Sequence, residues 1–364
     1  MASSIKHLID FGQSPWYDNL TRALATGGLR ELVAEHGIRG VTSNPTIFEK
    51  AMASGNDYDA QLREVTAAGA SALDAYWDLV TTDIGNALDI LRPHYDQWDG
   101  HDGFVSVEVA PDLAHDTDGT VAQARELWAR IDRPNVMIKI PATAEGIPAI
   151  ANALDAGLNV NVTLIFSLDR YAEVANAFLE GLERRVARGD DISRIASVAS
   201  FFVSRVDTET DRRLPEGHPL RGRAAVANAK LAYQHFLATF AGARWDALAA
   251  KGARVQRPLW ASTSTKNPAY SPTLYVDTMI GRDTVNTLAQ ASVDALEGGG
   301  GDLRADTVLE GIDEARATMT GLAAAGIDFD DVTATLEREG VAAFTASFQD
   351  AVDTLGKKAR ELAR

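Results

Sequence analysis

A single lysine stands in an otherwise apolar stretch of the sequence. Residues 136–140, Val-Met-Ile-Lys-Ile, have the β-branched bias of a buried strand, and Lys139 is the one charged residue among them. A lysine is rarely buried unless its ammonium group is paired or takes part in chemistry. Two interpretations follow. Lys139 is either an interior lysine in a salt bridge with a carboxylate, or an amine whose lowered pKa lets it attack a carbonyl carbon as a Schiff-base nucleophile.

Three further polar residues stand inside or at the ends of predicted elements. Glu108 lies between two valines in the apolar segment 104–110, so it is either the partner of a buried cation or an acid/base group. Asp18 precedes a predicted helix, and its structural alternative is a helix cap. Asn44 precedes Pro45, a residue favoured at the first position of a helix, and has the same alternative.

Polar side chains continue along the later strands. Asn161 and Thr163 alternate with apolar residues and therefore share one strand face. Helices cover the outside of a parallel barrel, so this face is expected to point into the mouth of the barrel. Ser200 and Arg205 fall in the next predicted strand, 195–205.

A hydroxyl-rich loop at residues 262–266, Ser-Thr-Ser-Thr-Lys, follows the seventh predicted strand. Phosphate groups are often bound in this neighbourhood of a barrel. Ser264 and Lys266 are therefore candidate phosphate-binding residues.

Eight short apolar segments alternate with helical sequence. They cover residues 14–18, 37–44, 104–110, 135–142, 158–166, 195–205, 258–263 and 275–280. This alternation predicts an α/β fold, a single (β/α)8 TIM barrel over residues 1–364 with additional helices. A doubly wound sheet is the alternative, but the glycine-rich fingerprint that often follows its first strand is absent. Residues 207–223, rich in charge, Pro and Gly, predict a surface loop.

Composition excludes several classes of function. The chain has 364 residues, of which 46% are hydrophobic and 24% charged, ordinary values for a globular protein. Its 35 basic and 51 acidic residues give a net charge of −16, which argues against nucleic acid as a partner. The absence of cysteine excludes disulfides and thiolate chemistry. No apolar stretch is long enough for a membrane span or a signal peptide, so we expect a cytoplasmic protein without a membrane partner.

The polar residues together suit one kind of chemistry. An amine can condense with a ketone, and the resulting iminium withdraws electrons from the adjacent carbon–carbon bond. One carboxylate takes a hydroxyl proton as that bond breaks, and another moves protons through water. Neither metal nor cofactor is expected. The seven histidines, including His101 and His115, lack the spacing of metal ligands.

Six motifs of the chain resemble those of the transaldolase family, in its longer bacterial form, across nearly the whole length. They are Trp-Tyr-Asp-Asn-Leu at 16–20, Gly-Val-Thr-Ser-Asn-Pro-Thr-Ile-Phe at 40–48, Val-Ser-Val-Glu-Val at 105–109, Val-Met-Ile-Lys-Ile-Pro-Ala-Thr at 136–143, Asn-Val-Thr-Leu-Ile-Phe-Ser at 161–167 and Ser-Phe-Phe-Val-Ser-Arg at 200–205.

The resemblance implies a role for each candidate residue. Lys139 would form the Schiff base, and Asp18 would accept the hydroxyl proton during bond cleavage. Glu108 with Thr163 would hold the water used in imine formation and release. The remaining residues would bind the sugar and its phosphate: Asn44, Asn161 and Ser200 the sugar chain, and Arg205 the phosphate. Much of the family has a second phosphate-binding arginine after the seventh strand. This chain has Ser264 and Lys266 there, and Lys266 is expected to replace it.

Family membership would imply transfer of a dihydroxyacetone unit between sugar phosphates by a monomer or homodimer. Within the same chemistry, the rival is a fructose 6-phosphate aldolase, which the family associates with shorter chains. A non-catalytic sugar-phosphate binder on the same barrel is the rival from a different class. Covalent trapping of the ketose on Lys139 would separate the binder from the enzymes.

Overall fold

The computed structural model describes residues 3–363, and within them eight parallel strands form a closed barrel in chain order. The strands are β1 Gln13–Tyr17, β2 Gly40–Thr42, β3 Phe104–Glu108, β4 Val136–Pro141, β5 Val160–Ile165, β6 Ser197–Phe202, β7 Arg257–Ala261 and β8 Thr284–Leu288. The first strand pairs with the last, with Gln13 opposite Thr284. The predicted (β/α)8 barrel is confirmed.

Helices surround the barrel and continue after its last strand. They are α1 Lys6–Asp10, α2 Leu29–Glu31, α3 Pro45–Ala53, α4 Asp59–Ala67, α5 Ala72–Gln97, α6 Thr117–Ile131, α7 Gly146–Asp155, α8 Leu168–Arg188, α9 Ser204–Arg213, α10 Ala224–Thr239, α11 Ala243–Ala249, α12 Leu274–Asp277, α13 Gln290–Glu297, α14 Ile312–Ala324 and α15 Phe329–Leu362. Shorter π or 3-10 turns lie at Leu24–Gly28, Leu32–His36, Pro111–Leu113 and Thr307–Leu309. Among residues 3–363, no helix combines the length and apolar character needed to cross a membrane.

The main hydrophobic core lies between the strands and the surrounding helices. Ile138 of β4 and Val160 of β5 are fully buried in it. Burying each such side chain contributes roughly 1.5–3 kcal/mol. At β2 the packing requires a glycine, because a Cβ at Gly40 would lie 2.5 Å from the ring of Trp16.

The prediction of an eighth strand at residues 275–280 is wrong. That segment contains the short helix α12, and β8 lies further along, at Thr284–Leu288. The β8 sequence, Thr-Val-Asn-Thr-Leu, was hidden by its polar residues, which are buried by specific hydrogen bonds. Thr284 Oγ1 donates to the Gly281 carbonyl at 2.5 Å, and Asn286 Oδ1 accepts from Thr263 Oγ1 at 2.8 Å.

The region after β6 also differs from the prediction. β6 ends at Phe202, and Arg205 lies in the first turn of α9, not on the strand. α9 also occupies residues 207–213 of the segment 207–223 that was predicted as a surface loop, and its residues Asp207 and Asp211 are buried. Charged residues signal exposure only when no partner is available, and both of these carboxylates have partners.

The long helix α15 crosses the carboxyl end of the barrel. It contacts α3, α4, α5, α9 and strand β5. Its close approach depends on Gly340, because a Cβ there would lie 2.9 Å from Leu164 Cδ2. Leu164 follows Thr163 with a φ of 60°, at an irregularity in the pairing of β5 with β6. Such bulges often occur next to active sites, where they redirect side chains.

Candidate active site

Strand register aligns three polar residues across neighbouring strands. Glu108 of β3 pairs with Lys139 of β4, which pairs with Asn161 of β5. Lys139 is only 5% exposed and Glu108 7%, in a row where apolar side chains would be ordinary. In the sequence, Lys139 and Glu108 were each the charged residue of an apolar segment. In the barrel they lie opposite each other on adjacent strands.

Lys139 makes two hydrogen bonds. Its Nζ donates to Glu108 Oε2 at 3.1 Å and to the Ser43 carbonyl at 3.0 Å. The salt bridge expected of an interior lysine is therefore present. Lys139 also lines a cavity at the carboxyl end of the barrel, as a nucleophilic lysine must. The two interpretations describe the same residue, because a carboxylate beside the amine can also receive its proton.

The cavity has a volume of about 70 Å³ and brings together most of the predicted residues. Six of them line it: Asp18, Asn44, Lys139, Thr163, Ser200 and Arg205. These side chains come from β1, β2, β4, β5 and β6 or from the segments that directly follow them, as is typical of active sites in barrel enzymes.

The last residue of β2 and the two residues that follow it organise one side of the site. Thr42 Oγ1 donates to Asp18 Oδ1 at 2.7 Å, and the Ser43 carbonyl accepts from Lys139. The side chain of Asn44 caps α3 by accepting from the Ile47 amide at 3.0 Å. Asn44 is thus both a helix cap and a cavity residue.

Asp18 is not a helix cap. The Leu24 amide donates to Thr21 Oγ1 at 3.3 Å, so the side chain of Thr21, and not that of Asp18, caps the helical segment that follows. The Asp18 carboxylate accepts from Thr42 and lies on the cavity wall. The cap alternative is therefore wrong for this residue.

Asn161 and Ser200 form a hydrogen-bonded unit. Ser200 Oγ donates to Asn161 Oδ1 at 2.7 Å, and Asn161 Nδ2 donates to Ser106 Oγ at 3.0 Å. Asn161 is fully buried behind Ser200 and does not itself line the cavity. Thr163 does line it, and its buried hydroxyl has no hydrogen-bond partner within residues 3–363.

Burial opposes charge in this cavity. It raises the pKa of Glu108, although Lys139 and then Arg205 act to lower that pKa. Burial also lowers the pKa of Arg205, against the influence of the carboxylates of Asp18 and Glu108. Within the described chain Arg205 makes no salt bridge, so its guanidinium is available to a ligand.

An aromatic residue missing from the sequence prediction covers the site. Phe344 of α15 lines the cavity, and its ring centroid lies 5.8 Å from Lys139 Nζ and 5.8 Å from Arg205 Cζ. The ring centroid of Phe202 lies 5.1 Å from Arg205 Cζ. Contacts of this kind favour cations beside aromatic faces and keep water away from them.

Ser264 and Lys266 lie outside the lining of this cavity. Lys266 Nζ donates to Ser264 Oγ at 2.8 Å, and Lys266 lines a neighbouring cavity against α9. Partial burial lowers the pKa of Lys266; nearby Arg205 lowers it further, and Asp18 raises it. The charges of Arg205 and Asp18 thus influence the ammonium group, although Lys266 does not line the cavity that contains them.

Three polar residues of the cavity were not among the predicted site residues: Thr42, Ser262 and Thr287. Thr42 stands in the quoted motif at residues 40–48, directly before Asn44, so the motif offered a signal for it. Ser262 adopts a φ of 56°, which no residue pattern in its loop indicated.

A closed barrel with an internal lysine paired to a carboxylate, and a second carboxylate across the cavity, defines a class of enzyme that forms imines with carbonyl substrates. Comparisons with known proteins narrow this class. A sequence model of the family described as Transaldolase/Fructose-6-phosphate aldolase matches residues 15–355.

Whole-chain relatives agree with the family match. The chain is 52% identical to the transaldolase of Saccharopolyspora erythraea, over 97% of each chain. It is 50% identical to the transaldolase of Thermobifida fusca, over 98% of this chain and 99% of the relative. Transaldolase 1 of Streptomyces avermitilis is 48% identical, over 98% of this chain and 96% of the relative. The chain belongs to the transaldolase/fructose-6-phosphate aldolase family.

Proposed function

We propose that this protein is a transaldolase of the pentose phosphate pathway. It transfers a dihydroxyacetone unit from sedoheptulose 7-phosphate to glyceraldehyde 3-phosphate and releases erythrose 4-phosphate and fructose 6-phosphate. The observation that carries the proposal is Lys139, buried beside Glu108 yet open to a cavity that also contains Asp18. Sequence identity of about 50% to transaldolases, along nearly the whole chain, supports the same function.

Imine formation begins with a proton transfer within the buried pair. Glu108, whose pKa is raised by burial, takes a proton from the Lys139 ammonium and leaves a neutral amine. The amine nitrogen bonds to C2 of the ketose, and the C2 oxygen leaves as water after protonation. The buried hydroxyl of Thr163 lines the cavity without a hydrogen-bond partner among the described residues, and it holds that water with Glu108.

Cleavage follows from the iminium. Asp18 removes the proton of the C4 hydroxyl, the C3–C4 bond breaks, and its electron pair moves to the iminium to give an enamine. The aldose leaves, and C3 of the enamine attacks the aldehyde carbon of the acceptor while Asp18 returns the proton. Water then hydrolyses the new iminium and frees Lys139.

The remaining residues bind the sugar chain and the phosphate. Asn44 and Ser200 lie on the cavity wall and bond the sugar hydroxyls, with Asn161 behind Ser200 to orient it. Arg205 binds the phosphate from α9, and Lys266 with Ser264 supplies a second cationic contact from the loop after β7. Fixed donors of this kind hold the reacting carbon near the amine.

Acceptor dependence tests the reaction type. A transaldolase consumes fructose 6-phosphate only when an acceptor such as erythrose 4-phosphate is present. Cleavage at full rate without an acceptor would identify a fructose 6-phosphate aldolase, the other activity named in the family description. Borohydride reduction in the presence of fructose 6-phosphate, followed by peptide mass spectrometry, should place a stable adduct on Lys139. A protein that binds the sugar without any adduct would be a non-catalytic binder.

Replacing Arg205 by alanine should raise KM for fructose 6-phosphate by about 10- to 100-fold, because charge-assisted hydrogen bonds contribute roughly 1.5–3 kcal/mol. Lys266→Ala should raise KM by only about two- to fivefold, because an exposed cation is screened by water. Both variants should keep more of kcat than of kcat/KM. Steady-state kinetics checks this, with Arg63→Ala on exposed α4 as the control. A larger KM effect at Lys266 than at Arg205 would contradict the assignment.

The setting of the enzyme is part of the proposal. We propose a cytoplasmic enzyme that acts as a monomer or homodimer, with residues 1–364 as one domain. Pairing of β1 with β8, and the position of α15 across the barrel, support treating the chain as one unit.

A further inference from the structure

We infer that two carboxylates of α9 and two tyrosines act together as positioning residues, holding the loop that carries Lys266 in place relative to Arg205. The group comprises Asp207, Asp211, Tyr270 and Tyr275, and we call it the carboxylate–tyrosine clasp. The loop concerned, residues 262–273 between β7 and α12, is called the β7 loop. This inference rests on the proposed function, since it concerns how the two cations reach one phosphate group.

Helix geometry places the cation and the carboxylates on different sides of α9. Arg205 and Asp207 are two residues apart and so lie about 200° apart around the axis. Asp207 and Asp211 are four residues apart and share a face. Arg205 therefore faces the cavity, while the two carboxylates face the β7 loop.

Each carboxylate binds one tyrosine hydroxyl and one backbone amide. Tyr275 OH donates to Asp207 Oδ2 at 2.7 Å, and the Ala225 amide donates to Asp207 Oδ1 at 2.8 Å. Tyr270 OH donates to Asp211 Oδ2, and the Gly222 amide to Asp211 Oδ1 at 2.9 Å. All four bonds connect α9 to segments that follow it in the chain.

The start of the β7 loop is bound to the same helix. The Ser204 amide donates to the Ser262 carbonyl at 3.0 Å, and the hydroxyls of the two serines lie 2.8 Å apart. The loop is thus attached to α9 near its beginning at Ser262, in its middle at Tyr270, and beyond its end at Tyr275. Lys266 lies between the first two of these attachments.

Apolar packing does little to hold the loop. An open groove lies between it and α9, lined by Lys266, Asn267 and both tyrosines. A loop that spans such a space depends on its hydrogen bonds for its position. Burial of the Asp207 carboxylate raises its pKa to about 6 despite the bond from Tyr275, so an unfavourably buried charge is kept at this point. An ionised carboxylate accepts a stronger hydrogen bond from the Tyr275 hydroxyl than a neutral oxygen would, and this bond therefore strengthens the clasp.

Removing one hydroxyl tests the inference. Tyr275→Phe should raise KM for fructose 6-phosphate about tenfold and weaken competitive inhibition by inorganic phosphate by a similar factor, as expected for one hydrogen bond to a charged group. The kcat should change by less than about twofold, because the reacting groups are on other strands. Tyr233→Phe is the matched control, since its hydroxyl donates to the Arg282 carbonyl at 3.0 Å, outside the loop.

The outcomes separate positioning from simple stability. A fall in melting temperature with unchanged KM and unchanged phosphate inhibition would overturn the inference, and so would a loss confined to kcat. Tyr270→Phe gives the same measurement if the first variant does not fold. If the wild-type protein has no transaldolase activity, calorimetry can still compare the affinity of wild type and variant for inorganic phosphate. That case would refute the proposed function, whereas equal phosphate affinity in wild type and variant would refute the inference.

Discussion

Replacing Lys139 by alanine should reduce turnover by at least about a thousandfold, because no other amine among the described residues lies at the centre of the cavity and the iminium is the electron sink of the reaction. Borohydride reduction with fructose 6-phosphate should then leave no adduct on the peptide that contains residue 139. Circular dichroism should still show a folded barrel. Lys230→Ala is a suitable control, because this half-buried lysine donates to the carbonyls of Thr307 and Glu310, far along the chain from the site.

The stability of the same variant should depend on pH. Removing Lys139 removes the main influence that lowers the pKa of Glu108, so the folded-state pKa rises further above its value in the unfolded chain. For a carboxyl group raised in this way, the stabilisation is fully present below the unfolded pKa and is lost as pH rises through the folded pKa. As pH rises above the ordinary pKa of a glutamate, the melting temperature should therefore fall more steeply in the variant than in the wild type. Equal slopes, or wild-type turnover, would refute the role of the pair.

Asp18→Asn should lower kcat by about 10²–10⁴-fold, the usual range for loss of a general base. The amide has nearly the shape of the carboxylate, and its oxygen still accepts from Thr42, so the cavity should keep its geometry. Imine formation does not require Asp18. The borohydride adduct on Lys139 should therefore form as in the wild type while transfer to the acceptor fails.

Trapping and kinetics together distinguish loss of the general base from loss of imine formation. Asp10→Asn, at an exposed position at the end of α1, is the control for loss of a carboxylate in the same region of the chain. Turnover within about threefold of the wild type would show that another group takes the hydroxyl proton. Loss of the adduct together with turnover would show that Asp18 acts at an earlier step than we propose.

Local pattern predicted the parts of the site that lie on strands. Lys139 and Glu108 broke apolar runs, and a charge in such a run requires a partner. The barrel pairs β3 with β4, and the two residues fall opposite each other. The period of two predicted that Asn161 and Thr163 share a strand face that points to the mouth of the barrel. Thr163 lines the cavity, whereas Asn161 is buried behind Ser200.

What the sequence could not predict depends on contacts between distant segments. α9 looked like a charged loop because the amides and tyrosines that satisfy Asp207 and Asp211 lie outside it. β8 was missed because three of its five residues are polar, and the groups that bond them lie in neighbouring segments. Phe344 reaches Lys139 from 205 positions away, and no local pattern records such a contact.

Closure of the barrel by its first and last strands has a consequence for how the chain folds. Gln13 Nε2 bonds Thr284 Oγ1 across a sequence separation of 271 residues. The entropy of closing so long a loop opposes that contact, and proteins with a high contact order fold slowly. Until closure, β1 and β8 present unpaired edges that favour association with other chains. Refolding yield should therefore fall with protein concentration, and the amine of Lys139 should become sheltered only in the late, slow phase.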